Sequence, residues 1–178
     1  MLRRFADPVD GGFFYAGSDG EPLLARTRDV EDHPAPSGSS QAAWVLLRLA
    51  ALTGDGELEA RATGALSLVR DEMVRFPQAF GTALVATDFL TASRREIAIV
   101  GPRDDPATAL LIVAAREAMG PADVLAVGDP SDAAASKAAP LLAGRPLEAG
   151  RPVAYVCEGF ACRAPVATVE ELRRQLSA

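Results

Sequence analysis

Ile97-Ala98-Ile99-Val100-Gly101-Pro102 decides how this chain is to be read. Four apolar residues without a polar interruption, closed by a Gly-Pro breaker, mark a strand buried on both faces rather than a half-exposed one, which would alternate. The next segment predicts a helix from about Pro106 to Met119, with Asp105 as its cap, Pro106 at the first helical position and Gly120-Pro121 as its stop. Val124-Leu125-Ala126-Val127 repeats the strand pattern and Gly128-Asp129-Pro130 ends it. Strand, helix, strand reads as a βαβ unit.

Downstream, a short alanine-rich helix near Ala133 to Ala139 and a loop through Gly144-Arg145-Pro146 lead to Val153-Ala154-Tyr155-Val156, a third strand. Thr168-Val169-Glu170-Glu171 has the spacing of a capping box and opens a terminal helix through Gln175. Residues 94–178 are therefore expected to form a small α/β lobe with about three strands of parallel type.

Upstream of Ile97 the periodicity is helical. Ala43, Leu46, Leu47 and Ala50 fall at i, i+3, i+4 and i+7 within Gln41 to Thr53, with serines at Ser37, Ser39 and Ser40 able to cap. After the breaker Gly54-Asp55-Gly56, the residues Leu58, Ala62, Ala65, Val69 and Met73 predict a second, antiparallel helix. Pro77 suits the first turn of a third, whose body from Ala79 to Leu90 is almost wholly apolar. Trp44, Phe80 and Phe89 belong to these apolar faces. Ahead of the helices, Asp10 to Ala16 and Pro22 to Arg26 flank the turn Gly17-Ser18-Asp19-Gly20 and read as a β-hairpin. The fold class is mixed, α+β: residues 1–93 helical after a hairpin, residues 94–178 α/β.

The 178 residues carry 49% hydrophobic and 24% charged residues, inside the globular range. A formal charge of −6, from 24 acidic and 18 basic residues, disfavours a nucleic-acid partner. No stretch approaches the roughly 20 apolar residues of a spanning helix, and the first residues lack the apolar core of a signal peptide, so no membrane partner and a cytoplasmic location are expected.

Three local features bear on chemistry. Cys157-Glu158-Gly159-Phe160-Ala161-Cys162 follows the third strand, and its two thiols could pack as small hydrophobes, close a local disulfide, cycle between dithiol and disulfide, or supply half of a metal site. With His33 as the single histidine, a four-ligand zinc site within one chain is excluded and no metal or cofactor is expected. Asp29, Glu31, Asp32 and His33 precede a helix; paired carboxylates beside a histidine suit acid–base work on a sugar, while acidic residues there also complement a helix dipole. The loops Gly101 to Asp105 and Gly128 to Pro130 stand where phosphates bind in α/β folds, but neither has a Gly-rich fingerprint and Asp104 and Asp105 oppose an anion.

Taken together, Asp10-Gly11-Gly12-Phe13-Phe14, Pro36-Ser37-Gly38-Ser39-Ser40-Gln41-Ala42-Ala43, Arg48-Leu49 before Leu52-Thr53-Gly54, and Ala154 through Val166 resemble the C-terminal part of the spermatogenesis-associated protein 20 family. Members of that family join an N-terminal thioredoxin-like domain to a six-hairpin, glycosidase-like helical toroid. The resemblance spans nearly the whole chain and about the last quarter of a full-length member, so the thioredoxin-like domain and its cysteine motif have no counterpart here. It implies that residues 1–93 correspond to the last hairpins of the toroid, incomplete by themselves, and that the α/β lobe is the family's C-terminal extension. It places Asp10, Asp32, Pro36, Ser37 and Gly38 in or near the toroid mouth, which makes Asp10, Asp32 and His33 the catalytic candidates, for sugar epimerase or glycosidase-like chemistry, and Ser37 and Gly38 the ligand-binding ones. It pairs Cys157 and Cys162 with the family's C-terminal cysteines. His33 and Pro34 stand where members more often have small residues, and Ser39 where Asn is usual. A carbohydrate ligand, the missing N-terminal chain or a second copy are the partners expected, with no catalysis by the isolated chain.

Overall fold

The computed structural model describes residues 1–21, 24–159 and 161–177. It divides into two compact units, one formed by Met1–Ala50 with Asp55–Thr91, the other by Ala51–Gly54 with the residues from Ala92 onward.

The second unit is built on a four-stranded mixed sheet whose strands lie in the order Val124–Gly128, Arg95–Val100, Val153–Glu158, Ala161–Cys162. Strand β1 (Arg95–Val100) pairs in parallel with β2 (Val124–Gly128), and helix α6 (Pro106–Ala118) connects them as the βαβ reading requires. Asp105 caps α6 by accepting the N–H of Ala107 at 2.8 Å, and Pro106 opens it. Ile97 to Val100 are buried on both faces of the sheet. On one face, Ile97 and Ile99 of β1 and Ala154 and Val156 of β3 (Val153–Glu158) form a core with Leu111, Ala114 and Ala115 of α6 and Leu172 and Leu176 of α8 (Val169–Ser177). The other face carries Ala98, Val100, Val153 and Cys157, and the 3-10 turn Pro140–Leu142 after α7 (Ala133–Ala138) packs on β1 and β2.

Strand β3 corrects the expectation of parallel strands: it is antiparallel to β1, with Val100 opposite Val153. Gly128, which ends β2, also lies opposite Val100, so β3 starts at the sheet end where β1 and β2 finish. The connection contains no crossover back to the other end, and without one the next strand must run the opposite way. A two-residue strand, β4 (Ala161–Cys162), follows in antiparallel register with β3. Thr168 opens α8 as expected, accepting the N–H of Glu171 at 3.3 Å while its hydroxyl donates to the Glu171 carboxylate at 2.8 Å.

In the first unit, after a single turn α1 (Leu2–Phe5), the long helix α2 (Gly38–Thr53), which belongs to this unit as far as Ala50, buries Ala43, Leu46, Leu47 and Ala50, the stripe its spacing predicts. The single helix expected from Leu58 to Met73 is two, α3 (Gly56–Ser67) and α4 (Arg70–Arg75). The chain leaves helical geometry at Val69 (φ −111°, ψ 10°), whose N–H reaches back only three residues, to Leu66. Val69 and Met73 are buried all the same, so the apolar repeat runs unbroken through a backbone break that it cannot reveal. Pro77 begins a 3-10 turn, Pro77–Ala79, and α5 (Gly81–Thr91) follows it rather than starting there.

The expected N-terminal hairpin does not form among the described residues; Pro22 and Leu23, part of its second arm, lie outside them. Gly11 and Gly12 both take left-handed φ, 80° and 72°, turning the chain so that a lone bridge joins Ala6 to Phe13. The Arg26 guanidinium then donates to the carbonyls of Ala16 and Arg4, doing with a side chain what a strand ladder would do with backbone.

Candidate functional site

Asp32 is the best-connected of the sequence candidates. One of its carboxylate oxygens accepts the N–H of Ser37 at 2.8 Å; the other accepts the N–H of Thr82 at 2.6 Å and, more distantly, of Ala83 at 3.4 Å. Its own N–H donates to the carbonyl of Ala79 at 2.7 Å. Thr82 and Ala83 lie in the first turn of α5, so Asp32 satisfies donors that the helix start leaves open, 50 residues along the chain. Ser37, fully buried, caps α2 in turn: its hydroxyl oxygen accepts the N–H of Ser40 at 3.1 Å, and the two hydroxyls lie 2.8 Å apart. Asp32 and Ser37 thus form one polar clasp tying α2 and α5 together. His33 is exposed on the adjoining loop, and its N–H donates to Ala35.

Asp10 belongs to a different cluster. It is exposed and 3.2 Å from the Arg28 guanidinium, which also forms a close ion pair with the buried Asp7. The N–H of Val9 and the Arg28 guanidinium hold the Asp7 carboxyl below the usual carboxylate range. Arg26 and Arg28 lie 4.1 and 5.3 Å from the centre of the Phe14 ring. Gly38, the other ligand-binding candidate, lines an apolar cleft of about 260 Å³ with Phe5, Phe13, Phe14 and Tyr15. The sequence candidates therefore separate: Asp32 and Ser37 lie within the helix clasp, Asp10 lies with Arg28, and Gly38 lies at the aromatic cleft.

In the second unit Cys157 and Cys162 are joined as a disulfide, which corrects the reading of them as packed free thiols. They face each other across β3 and β4 in register. Cys157 is 1% exposed and Cys162 is open to solvent. Nη2 of Arg145 lies 3.3 Å from both sulfurs, and the same guanidinium stands 5.6 Å from the Tyr155 ring centre and donates to the Leu141 carbonyl. Arg145 is a group that sequence reasoning passed over, because only the turn from the Pro140–Leu142 segment brings it to a strand 12 residues on. The ion pair of Arg95 with the buried Asp123 was equally invisible. Burial pushes the Asp123 carboxyl up, but the Arg95 side chain and the N–H groups of Gly120 and Arg95 outweigh it and hold it low. The loops considered for phosphate are occupied by their own acids: Asp105 caps α6, and Asp129 accepts the N–H and hydroxyl of Ser131.

Comparison with known proteins gives a consistent match. Human spermatogenesis-associated protein 20 is 32% identical over 177 residues, covering 98% of this chain and 22% of its own length. The mouse protein of the same name is 30% identical over the same shares. The chain is thus similar, over nearly its whole length, to about a fifth of each of these two proteins. No protein-family model matches it. Because the chain spans about a fifth, 22%, of the spermatogenesis-associated protein 20 relatives it matches, most of their length lies beyond what is compared. The match takes in residues of both units, since only about 2% of this chain falls outside the match to the human protein.

Proposed function

We propose that this chain is a C-terminal module of a larger thioredoxin and six-hairpin glycosidase-like protein, carbohydrate-related in its setting and without catalysis of its own. The observation that carries this reading is the state of Asp32. An acid or base acting on a sugar is turned toward its substrate; both oxygens of Asp32 are instead directed at backbone N–H groups, of Ser37 on one and of Thr82 and Ala83 on the other. Asp10 is ion-paired and exposed. In this reading residues 1–93 are the closing hairpins of a toroid and residues 94–178 its extension. The 260 Å³ cleft beside Gly38, with Tyr15 at its rim, offers aromatic surface against which the C–H face of a sugar ring could stack.

A docking role for the helical unit is favoured by one further observation. Val74, Phe76, Leu84 and Val85 on and between α4 and α5 are exposed, Val74 at 81%. Large apolar side chains left open in this number suit a surface that another part of a longer protein covers. The direct test is turnover: the purified chain incubated with a panel of glycosides and reducing sugars should release or interconvert nothing beyond the buffer blank. Hydrolysis or epimerisation at enzymatic rates would overturn the reading.

A further inference from the structure

We propose that the Cys157–Cys162 disulfide is a reducible site for a dithiol, entered at Cys162 and assisted by Arg145. Three independent observations converge on it. The two sulfurs differ in access: Cys162 is exposed while Cys157 is buried. A guanidinium, permanently charged, lies 3.3 Å from both sulfurs at once. And the bridge lies near the open, turn end of the β3–β4 pair, where β4 is only two residues long.

The chemistry follows from the access. A thiolate of the dithiol attacks Sγ of Cys162, the sulfur it can reach, forming a new S–S bond there and breaking the bond to Cys157, which leaves with the electron pair as a thiolate. Against the neutral disulfide Arg145 makes a weak contact; against the departing thiolate the same contact becomes charge-assisted. Arg145 therefore favours the reduced state and speeds departure, because a leaving thiol of lower pKa leaves faster. The dithiol's second thiolate then attacks its own sulfur in the mixed disulfide and displaces Cys162. The protein disulfide gains two electrons, the dithiol becomes a disulfide, and its two thiol protons end on the two protein thiols or in solvent. The carboxylate of Glu96, buried and directly opposite Cys157 in the β1–β3 register, shares that face of the sheet and opposes Arg145's effect by like-charge repulsion.

Arg145 is here a positioning residue, and its role is separable from simple packing. The full chain, oxidised, is titrated with mixtures of reduced and oxidised dithiothreitol and read by alkylation and mass. Arg145→Met is expected to require about a tenfold higher ratio of reduced to oxidised dithiothreitol for half-reduction and to react about tenfold more slowly, while Arg145→Lys, which keeps the charge, recovers much of both. In a second measurement on the unaltered chain, 2-mercaptoethanol followed by rapid alkylation should leave the thiol adduct on Cys162 and the alkyl group on Cys157. An adduct on Cys157, or Arg145→Met titrating and reacting as the unaltered chain does, would overturn the proposal.

Discussion

The two units are held by different physics. In the α/β unit, five consecutive residues of β1, Glu96 to Val100, are buried across its two faces, with α6 and α8 closing one side and the Pro140–Leu142 turn packing on the strands. In the helical unit, Asp32 and Ser37 tie α2 to α5 by hydrogen bonds while Val74, Phe76 and Val85 stay open to solvent. A sheet with both faces covered draws its stability from apolar area that no single residue dominates, whereas a clasp concentrates it in a few polar atoms whose removal strands several donors. Carboxylates that look catalytic in a sequence can thus be there to finish helices.

That contrast can be broken by substitution. Leu172→Ala, which opens a cavity in the core that α8 shares with α6 and β3, should cost about 3 to 4 kcal/mol in urea unfolding followed by circular dichroism, the largest effect here. Arg95→Ala should cost about 3 kcal/mol by leaving the Asp123 carboxylate, 5% exposed, without its charge partner. The same pair sets the acid response. Because the native Asp123 carboxyl is held low, its contribution is complete above the unfolded value of about 4 and is lost as pH falls through the native value, so Asp123→Asn should flatten the acid limb of a melting-temperature series. Asp32→Ala should cost about 2 kcal/mol, for it strands the N–H groups of Ser37 and Thr82. Thr168→Ala, removing one cap from α8, should cost about 1 kcal/mol in the same unfolding assay.

What was legible in the sequence was what periodicity and local chemistry encode. The run Ile97 to Val100, the Asp105-Pro106 helix start, the stripe of α2 and the Thr168 cap all depend on neighbours within a few residues, and all stand in the structure. The direction of β3 was not legible, because it depends on which end of the sheet the chain has reached after Gly128. Nor was the break at Val69, where burial continues across a change of backbone. The site suffered most. Asp32 meets Thr82 across 50 residues and Arg145 meets Cys157 across 12, and nothing in local spacing announces either contact. The open relation of Cys157 to Cys162 was resolved by the β3–β4 register, which sets the two residues opposite one another.

The claim on which the functional reading rests is that Asp32 serves the backbone. Native-state hydrogen exchange on the full chain, comparing it with Asp32→Asn, tests this at the atoms concerned. The account predicts that the amides of Ser37 and Thr82 lose protection together while those of β1 and β3 keep theirs. Unchanged protection at Ser37 and Thr82 would contradict it, and would return Asp32 to the list of groups free to act on a substrate.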